Sequence, residues 1–277
     1  MIVVKEISFA YGFSPVIENL SFEFEAGRFY SILGPNGCGK TTLLDLLIGH
    51  LKPQSGKVVL GNNNILSMSK RDIAKQISLV SQNYNINFPF TVKEVVMMGR
   101  HPYIGRFAQP SSEDVEIVNR VMERTGTDRF AERKVTDLSG GERQRCVFAR
   151  ALSQDTPLLC LDEAFANMDI SHTIRLLDLV KKEVRERNRT VISVFHDINI
   201  AAIWSDLLIF MKDGKVAASG ETEDIMCSSI IEDVFHVKSE VMYNSYSGTK
   251  QAHFRATYND SSSIESKIRK RTSRQES

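Results

Sequence analysis

Residues 3–9, 16–24 and 29–33 mix β-branched, aromatic and polar positions in short runs. Such runs predict strands, and Gly27 separates the second from the third. A glycine-rich stretch follows Leu33. LLDLLIGHL (43–51) then has the dense apolar spacing of a helix, ended by Pro53 and Gly56. KVVLG (57–61) and 77–81 predict further strands.

The pattern changes between 91 and about 154. Val115, Val118, Val121 and Met122 recur at helical spacing. Ser111 and Ser112 precede them, with Glu113 and Asp114 at the helix start. A helical insert belongs here. Strand signals resume at LLCL (158–161), TVISVF (190–195) and LLIFM (207–211), with helical patterns at 173–187 and 198–204. Strands alternating with helices predict an α/β fold with a mainly parallel sheet.

Composition sharpens this picture. The chain has 277 residues, 42% hydrophobic and 25% charged, which excludes disorder of the whole chain. Lys+Arg minus Asp+Glu is 35 − 34 = +1. That balance gives no electrostatic case for wholesale binding to nucleic acid or to an anionic membrane. Cys38, Cys146, Cys160 and Cys227 lie neither in CxxC pairs nor at zinc spacing, so free thiols in a reducing compartment are expected. The first residues lack a signal-peptide pattern, and no apolar run reaches about 18–20 residues. A membrane role would come through a partner. Residues 258–277 hold only Ile264 and Ile268 as aliphatics after Tyr258, and predict a flexible tail. The basic run 267–274 reads there as solvated rather than lipid-bound.

Residues 34–41 read GPNGCGKT and match G-x-x-x-x-G-K-[ST]. The glycines let backbone N–H groups turn toward phosphate oxygens. Lys40 can reach the β and γ phosphates, and the Thr41 hydroxyl can bind Mg²⁺. The helix that starts here points its positive end at the same anion. A chance match is on the order of one per cent at this length, and the strand–loop–helix setting lowers it further. Cys38 lies in this loop near a helix N-terminus, a setting that favours thiolate, so ATP would shield it from alkylation. The alternative is a small inert filler.

LLCLDE (158–163) is an apolar strand ending in two carboxylates. Neighbours on a strand face opposite ways. Asp162 can hold the Mg²⁺ water shell while Glu163 polarises an attacking water. Two surface acids would be the plain reading of this segment alone. LSGGE (138–142) opens a helix, where Ser139, Gly140 and Gly141 can hold an oxyanion. An ordinary helix cap explains the same start.

Taken in order, these segments resemble the ATP-binding cassette (ABC) transporter ATPases over residues 1 to about 240. The resemblance implies a P-loop ATPase core with an antiparallel β subdomain and an inserted helical subdomain at about 88–154. Residues 241–277 form a C-terminal extension. Tyr11 matches the aromatic that stacks on adenine. Gly34, Pro35, Asn36, Gly37, Cys38, Gly39, Lys40, Thr41 and Thr42 match the Walker A loop. Gln82 matches the Q-loop glutamine, which touches Mg²⁺ and the attacking water and senses the transport subunit. Leu138 to Glu142 match the signature, Asp162 and Glu163 the Walker B aspartate and catalytic glutamate, Asp169 the D-loop aspartate and His196 the switch histidine. The family usually carries Pro-Thr after the glutamate and Ser-Ala-Leu-Asp in the D-loop. This chain has Ala164-Phe165 and Ala166-Asn167-Met168-Asp169.

The resemblance further implies ATP and Mg²⁺, and a homodimer in which one subunit's signature completes the other's ATP site. FTVKEVVMMGRHPYIG (90–105), HDINIAAIWSD (196–206) and KDGKVAASGETEDIM (212–226) resemble importers of metal chelates such as iron–siderophore, haem or cobalamin. That subgroup implies a transmembrane permease, an extracytoplasmic substrate-binding protein and a place on the cytoplasmic membrane face. Thr91 with Glu94 also reads as a capping box, and His101 as a turn residue without metal. The alternatives are an exporter ATPase, the nearest, and the ATPase of an importer for another substrate.

Overall fold

The structure is a computed structural model that describes residues 1–81, 86, 88–165 and 168–255. Gln82, Ala166, Asn167 and the expected tail at 258–277 lie outside the described residues. The elements run β1 (Ile2–Tyr11), β2 (Ser14–Phe24), β3 (Phe29–Leu33), α1 (Lys40–Leu47), β4 (Ser55–Leu60), β5 (Asn63–Asn64), α2 (Lys70–Ala74), β6 (Ile77–Val80), α3 (Val92–Met97), α4 (Ser112–Thr125), α5 (Gly140–Ser153) and β7 (Leu158–Asp162). They continue with α6 (Ile170–Arg187), β8 (Thr190–Val194), α7 (Ile198–Trp204), β9 (Leu207–Lys212), β10 (Lys215–Glu221), α8 (Thr222–Ile225), α9 (Ser228–Phe235), β11 (Ser239–Asn244) and β12 (Thr249–Phe254).

The central sheet has strand order β10-β9-β3-β8-β7-β6. β9, β3, β8, β7 and β6 are parallel, and β10 adds an antiparallel edge. β3, β7 and β8 are buried along their whole length, as strands covered on both faces must be. That is why they read as unbroken apolar runs. A second sheet, β2-β1-β4-β5, is antiparallel throughout.

Apolar side chains gather on both sides of the central sheet. On one side Ile7, Phe24, Leu43 and Leu47 pack between α1 and the antiparallel sheet. On the other, Val96, Val118, Phe148, Leu177 and Phe195 join the helices. Each such fully buried side chain contributes about 1.5–3 kcal/mol. The parallel strands all end at one edge, and the functional loops follow from those ends.

α3, α4 and α5 pack together. The Thr91–Glu94 capping box at the start of α3 is present as read from the sequence. Gly99 is fixed by space: a Cβ there would lie 2.2 Å from Ser153 Oγ and 2.3 Å from the Arg150 carbonyl oxygen. Arg100 follows, buried, donating from Nε to Asp114 Oδ1 at 2.8 Å and from Nη1 to the Ser153 carbonyl at 2.9 Å. The Gly-Arg pair is therefore a packing joint between three helices.

α6 begins three residues before the expected helix, because Asp169 caps it. Trp204 Nε1 donates to Asp178 Oδ1 at 2.9 Å and ties α7 to α6. Asp206 accepts from the Phe29 N–H at 2.8 Å and from Lys181 at 2.5 Å. The apolar pattern does not predict the hairpin β11–β12. It is half exposed, so its pattern carries few apolar positions. It sits on α7 through Asn199, which donates to the Ala252 carbonyl at 3.0 Å and accepts from the Ala252 N–H at 2.7 Å. The expected boundary at 240 falls inside β11.

Candidate nucleotide site

The turn from β3 into α1 is shaped by close approach. A Cβ on Gly34 would lie 2.3 Å from the Met211 carbonyl oxygen. One on Gly39, at φ 102°, would lie 2.9 Å from the Val16 carbonyl. Only glycine fits both places. No side chain caps the first turn of α1, and no acidic residue stands in it. Its N–H groups and its positive dipole end thus remain available to an anion. Lys40 is buried and donates to the carbonyls of Gly34 at 2.8 Å and Pro35 at 3.0 Å.

Cys38 follows the second of its two readings. It is buried at 4% exposure, and burial pushes its thiol up, outweighing Lys40 and the backbone bonds that would lower it. The loop cysteine is a small packed filler rather than a thiolate.

Thr41 Oγ1 donates to Asp162 Oδ1 at 3.2 Å and joins the loop to the end of β7. Asp162 is pushed up to about 6. Burial is the main cause, with the negative charges of Glu163 and Asp45 adding to it; the Thr41 bond and Lys40 only partly oppose them. A buried carboxylate held so high is short of positive charge. A divalent cation bound by Thr41 and Asp162 would supply it. No group of three or more His, Cys, Asp or Glu side chains suited to a metal occurs among the described residues. The remaining ligands would be phosphate and water, the habit of Mg²⁺.

Glu163 sits just beyond β7 with φ 50°, a left-handed conformation unusual for a residue with a side chain. It aims its carboxylate at His196, just beyond β8, with Oε1 2.6 Å from Nε2. Tyr11, Asn36, Gly37, Gly39, Lys40, Thr41, Thr42, Glu163 and His196 line one open cleft of ≈ 540 Å³. Residues from four separate stretches thus meet at one place. Val16 also lines it, a position that an ordinary strand pattern could not single out. Tyr11 is 54% exposed and packs edge-on against Phe9, with ring centroids 4.9 Å apart.

Ser139, Gly140, Gly141, Glu142 and Asp169 do not line that cleft. Ser139 caps α5 in a reciprocal box: its Oγ accepts from the Glu142 N–H at 3.3 Å, and its own N–H donates to Glu142 Oε2 at 3.0 Å. That backbone bond is the first cause holding the Glu142 carboxyl below its usual range. Asp169 accepts from the His172 N–H at 2.9 Å and from Ser171 Oγ at 2.8 Å. Those bonds, the His172 N–H first, hold its carboxyl far below the carboxylate range. Both acids act as helix caps within this chain. Gln82 lies outside the described residues.

Residues 17–166 match the family model described as "ABC transporter". The ferric enterobactin transport ATP-binding protein FepC of Escherichia coli (strain K12) is 36% identical over 245 residues, 88% of this chain and 90% of that protein. A metal-chelate type ABC transporter solved in an inward-facing conformation superposes with a TM-score of 0.78 at 28% identity, over 92% of this chain and 96% of that one. An ATP-binding cassette dimer bound to ADP and Pi in a post-hydrolysis state gives 0.71 at 28% identity, over 80% and 99%. The chain belongs to the ABC transporter family. Within it, this is the ATPase: the subunit that binds and hydrolyses ATP.

Proposed function

We propose that this ATPase powers an importer for a metal chelate, of the iron–siderophore, haem or cobalamin kind. The observation that carries the mechanism is the cleft uniting the phosphate loop, Glu163 and His196, with Asp162 bound to its Thr41. FepC and the metal-chelate transporter, each matched over nearly its whole length, support the choice of cargo.

In this reading adenine stacks on exposed Tyr11. Residues 34–42 wrap the phosphates, and Lys40 exchanges its two carbonyl partners for phosphate oxygens. Thr41, Asp162 and Gln82 hold Mg²⁺, which would neutralise phosphate charge. Glu163 polarises the attacking water, and His196 bonds to Glu163 and stands by the γ-phosphate. Ser139, Gly140, Gly141, Glu142 and Asp169 lie outside the cleft because they serve the site of a second copy. One phosphate loop and one signature per chain then give a homodimer with two equivalent sites. Residues 1–240 form the ATPase domain, with 88–154 its helical subdomain and 241–277 an extension.

No helix of the described residues is long and apolar enough to cross a membrane. In this reading the chain reaches the cytoplasmic membrane face through permease subunits, which take cargo from an extracytoplasmic binding protein. The test is uptake in cells lacking this chain. Labelled ferric siderophore, haem and cobalamin should separate: uptake of one class stops, and the wild-type chain restores it while Glu163→Gln does not. Normal import of all three would overturn the cargo assignment.

A further inference from the structure

Phe165 and Phe195 lie face to face, with ring centroids 5.8 Å apart and planes 7° from parallel. Each is tied by sequence to one catalytic candidate. Phe165 follows Glu163 by two residues, and Phe195 directly precedes His196. The stack therefore bridges the ends of β7 and β8 immediately behind the Glu163–His196 contact. Phe165 also meets Phe148 of α5 at 5.8 Å, and Phe195 meets Phe29 of β3 at 6.4 Å. Both stacked rings are nearly buried, at 9% and 6% exposure.

The chain needs such a brace. Glu163 is held at φ 50°, where the backbone gives a non-glycine residue little support. No proline follows to stiffen the chain; the next residues are Ala164 and Phe165. A planar aromatic ring has few rotamers and a large contact face, so a parallel pair fixes both the spacing and the relative tilt of the segments that carry it.

We propose that Phe165 is a positioning residue for hydrolysis. Stacked on Phe195, it registers the end of β7 against the end of β8 and so holds the Glu163 carboxylate on the His196 ring. This rests on the reading of Glu163 as the group that activates water. Misplacing a reacting group by about 1 Å costs on the order of 100-fold in rate. Tyr11 and the phosphate loop, which this reading gives most of the ground-state nucleotide binding, do not touch the stack, so the loss falls mainly on kcat.

The experiment uses the full chain with Mg-ATP. Phe165→Leu should lower kcat about 10- to 100-fold, with KM for ATP changed less than about twofold. Phe165→Tyr, which keeps the planar face, should recover most of kcat. The ¹⁵N signal of His196 Nε2 should move toward that of an unpaired imidazole in the Leu variant and stay in place in the Tyr variant. Phe24→Leu is the control for lost packing: Phe24 is buried in the other core, against Phe22 and Tyr30. It should lower Tm and spare kcat.

If Phe165→Leu does not fold, Phe165→Met, flexible enough to fill the space but not planar, takes its place. A Leu or Met variant with kcat within twofold of wild type and an unmoved His196 signal would overturn the proposal. Glu163→Gln is run alongside. Undiminished turnover there would remove Glu163 as the activating group, while the His196 signal still decides whether Phe165 sets the geometry.

Discussion

The Thr41 hydroxyl donates to Asp162 across 3.2 Å, joining a loop at one end of the chain's core to a carboxylate 121 positions away. Burial outweighs that bond and pushes the Asp162 carboxyl up to about 6, from the ordinary 3.8. Between those two values the unfolded chain binds fewer protons than the folded one. Folding stability from this group therefore falls as pH rises from about 4 to about 6 and stays low above it. Asp162→Asn removes that loss. It should raise Tm of the nucleotide-free protein at pH 7 relative to wild type, with the gain shrinking toward pH 4. Mg²⁺ binding with nucleotide should weaken in wild type as pH drops below about 6 and be largely lost in the variant. Calorimetry at a series of pH values reads both.

Glu163→Gln keeps the size of the side chain and removes its basicity. ATP affinity should stay within a few-fold, and turnover should drop by about 10²- to 10⁴-fold. ATP should then hold the variant as a dimer in size-exclusion chromatography. Turnover like wild type would sink the role given to Glu163.

Arg100 and Asp114 are a buried pair, with side chains 7% and 9% exposed. Burial alone would raise the Asp114 carboxyl, but bonds from Arg100 and Ser111 outweigh it and hold it low. Arg100→Ala strands that charge and frees the Ser153 carbonyl. Urea denaturation should show a loss of about 3–5 kcal/mol. A loss under about 1 kcal/mol would mean that water reaches the joint.

The cysteines make a separate check. Cys38 is buried and its thiol is raised, whereas Cys227 is partly exposed. Burial opposes ionisation of Cys227, but bonds from Ser229 and from the backbone at 229 and 230 draw its thiol below the usual value. Iodoacetamide followed by peptide mapping should mark Cys227 first and Cys38 slowly, with and without ATP. Fast labelling of Cys38 that ATP blocks would restore the thiolate reading.

Much of this was legible in the residue pattern. The buried strands β3, β7 and β8 announced themselves because sheets covered on both sides need unbroken apolar runs. The phosphate loop was legible because only glycine permits its close approaches at 34 and 39. What escaped shares a physical reason. The hairpin β11–β12 is half exposed and held to α7 by polar bonds to Asn199, so it leaves little trace in hydrophobic periodicity. The Cys38 environment depends on what packs over the loop, which local sequence does not encode. The Phe165–Phe195 stack pairs residues 30 apart in the chain, and only the neighbouring of β7 and β8 brings them together.

The chain carries a single tryptophan, Trp204, and it sits where α7 meets α6, bound to Asp178. α7 starts two residues after His196 and bears the C-terminal hairpin at Asn199. The protein thus has a built-in optical probe, uncontaminated by any second indole. A shift in its emission on adding nucleotide would report a rearrangement of that junction alone, without an added dye.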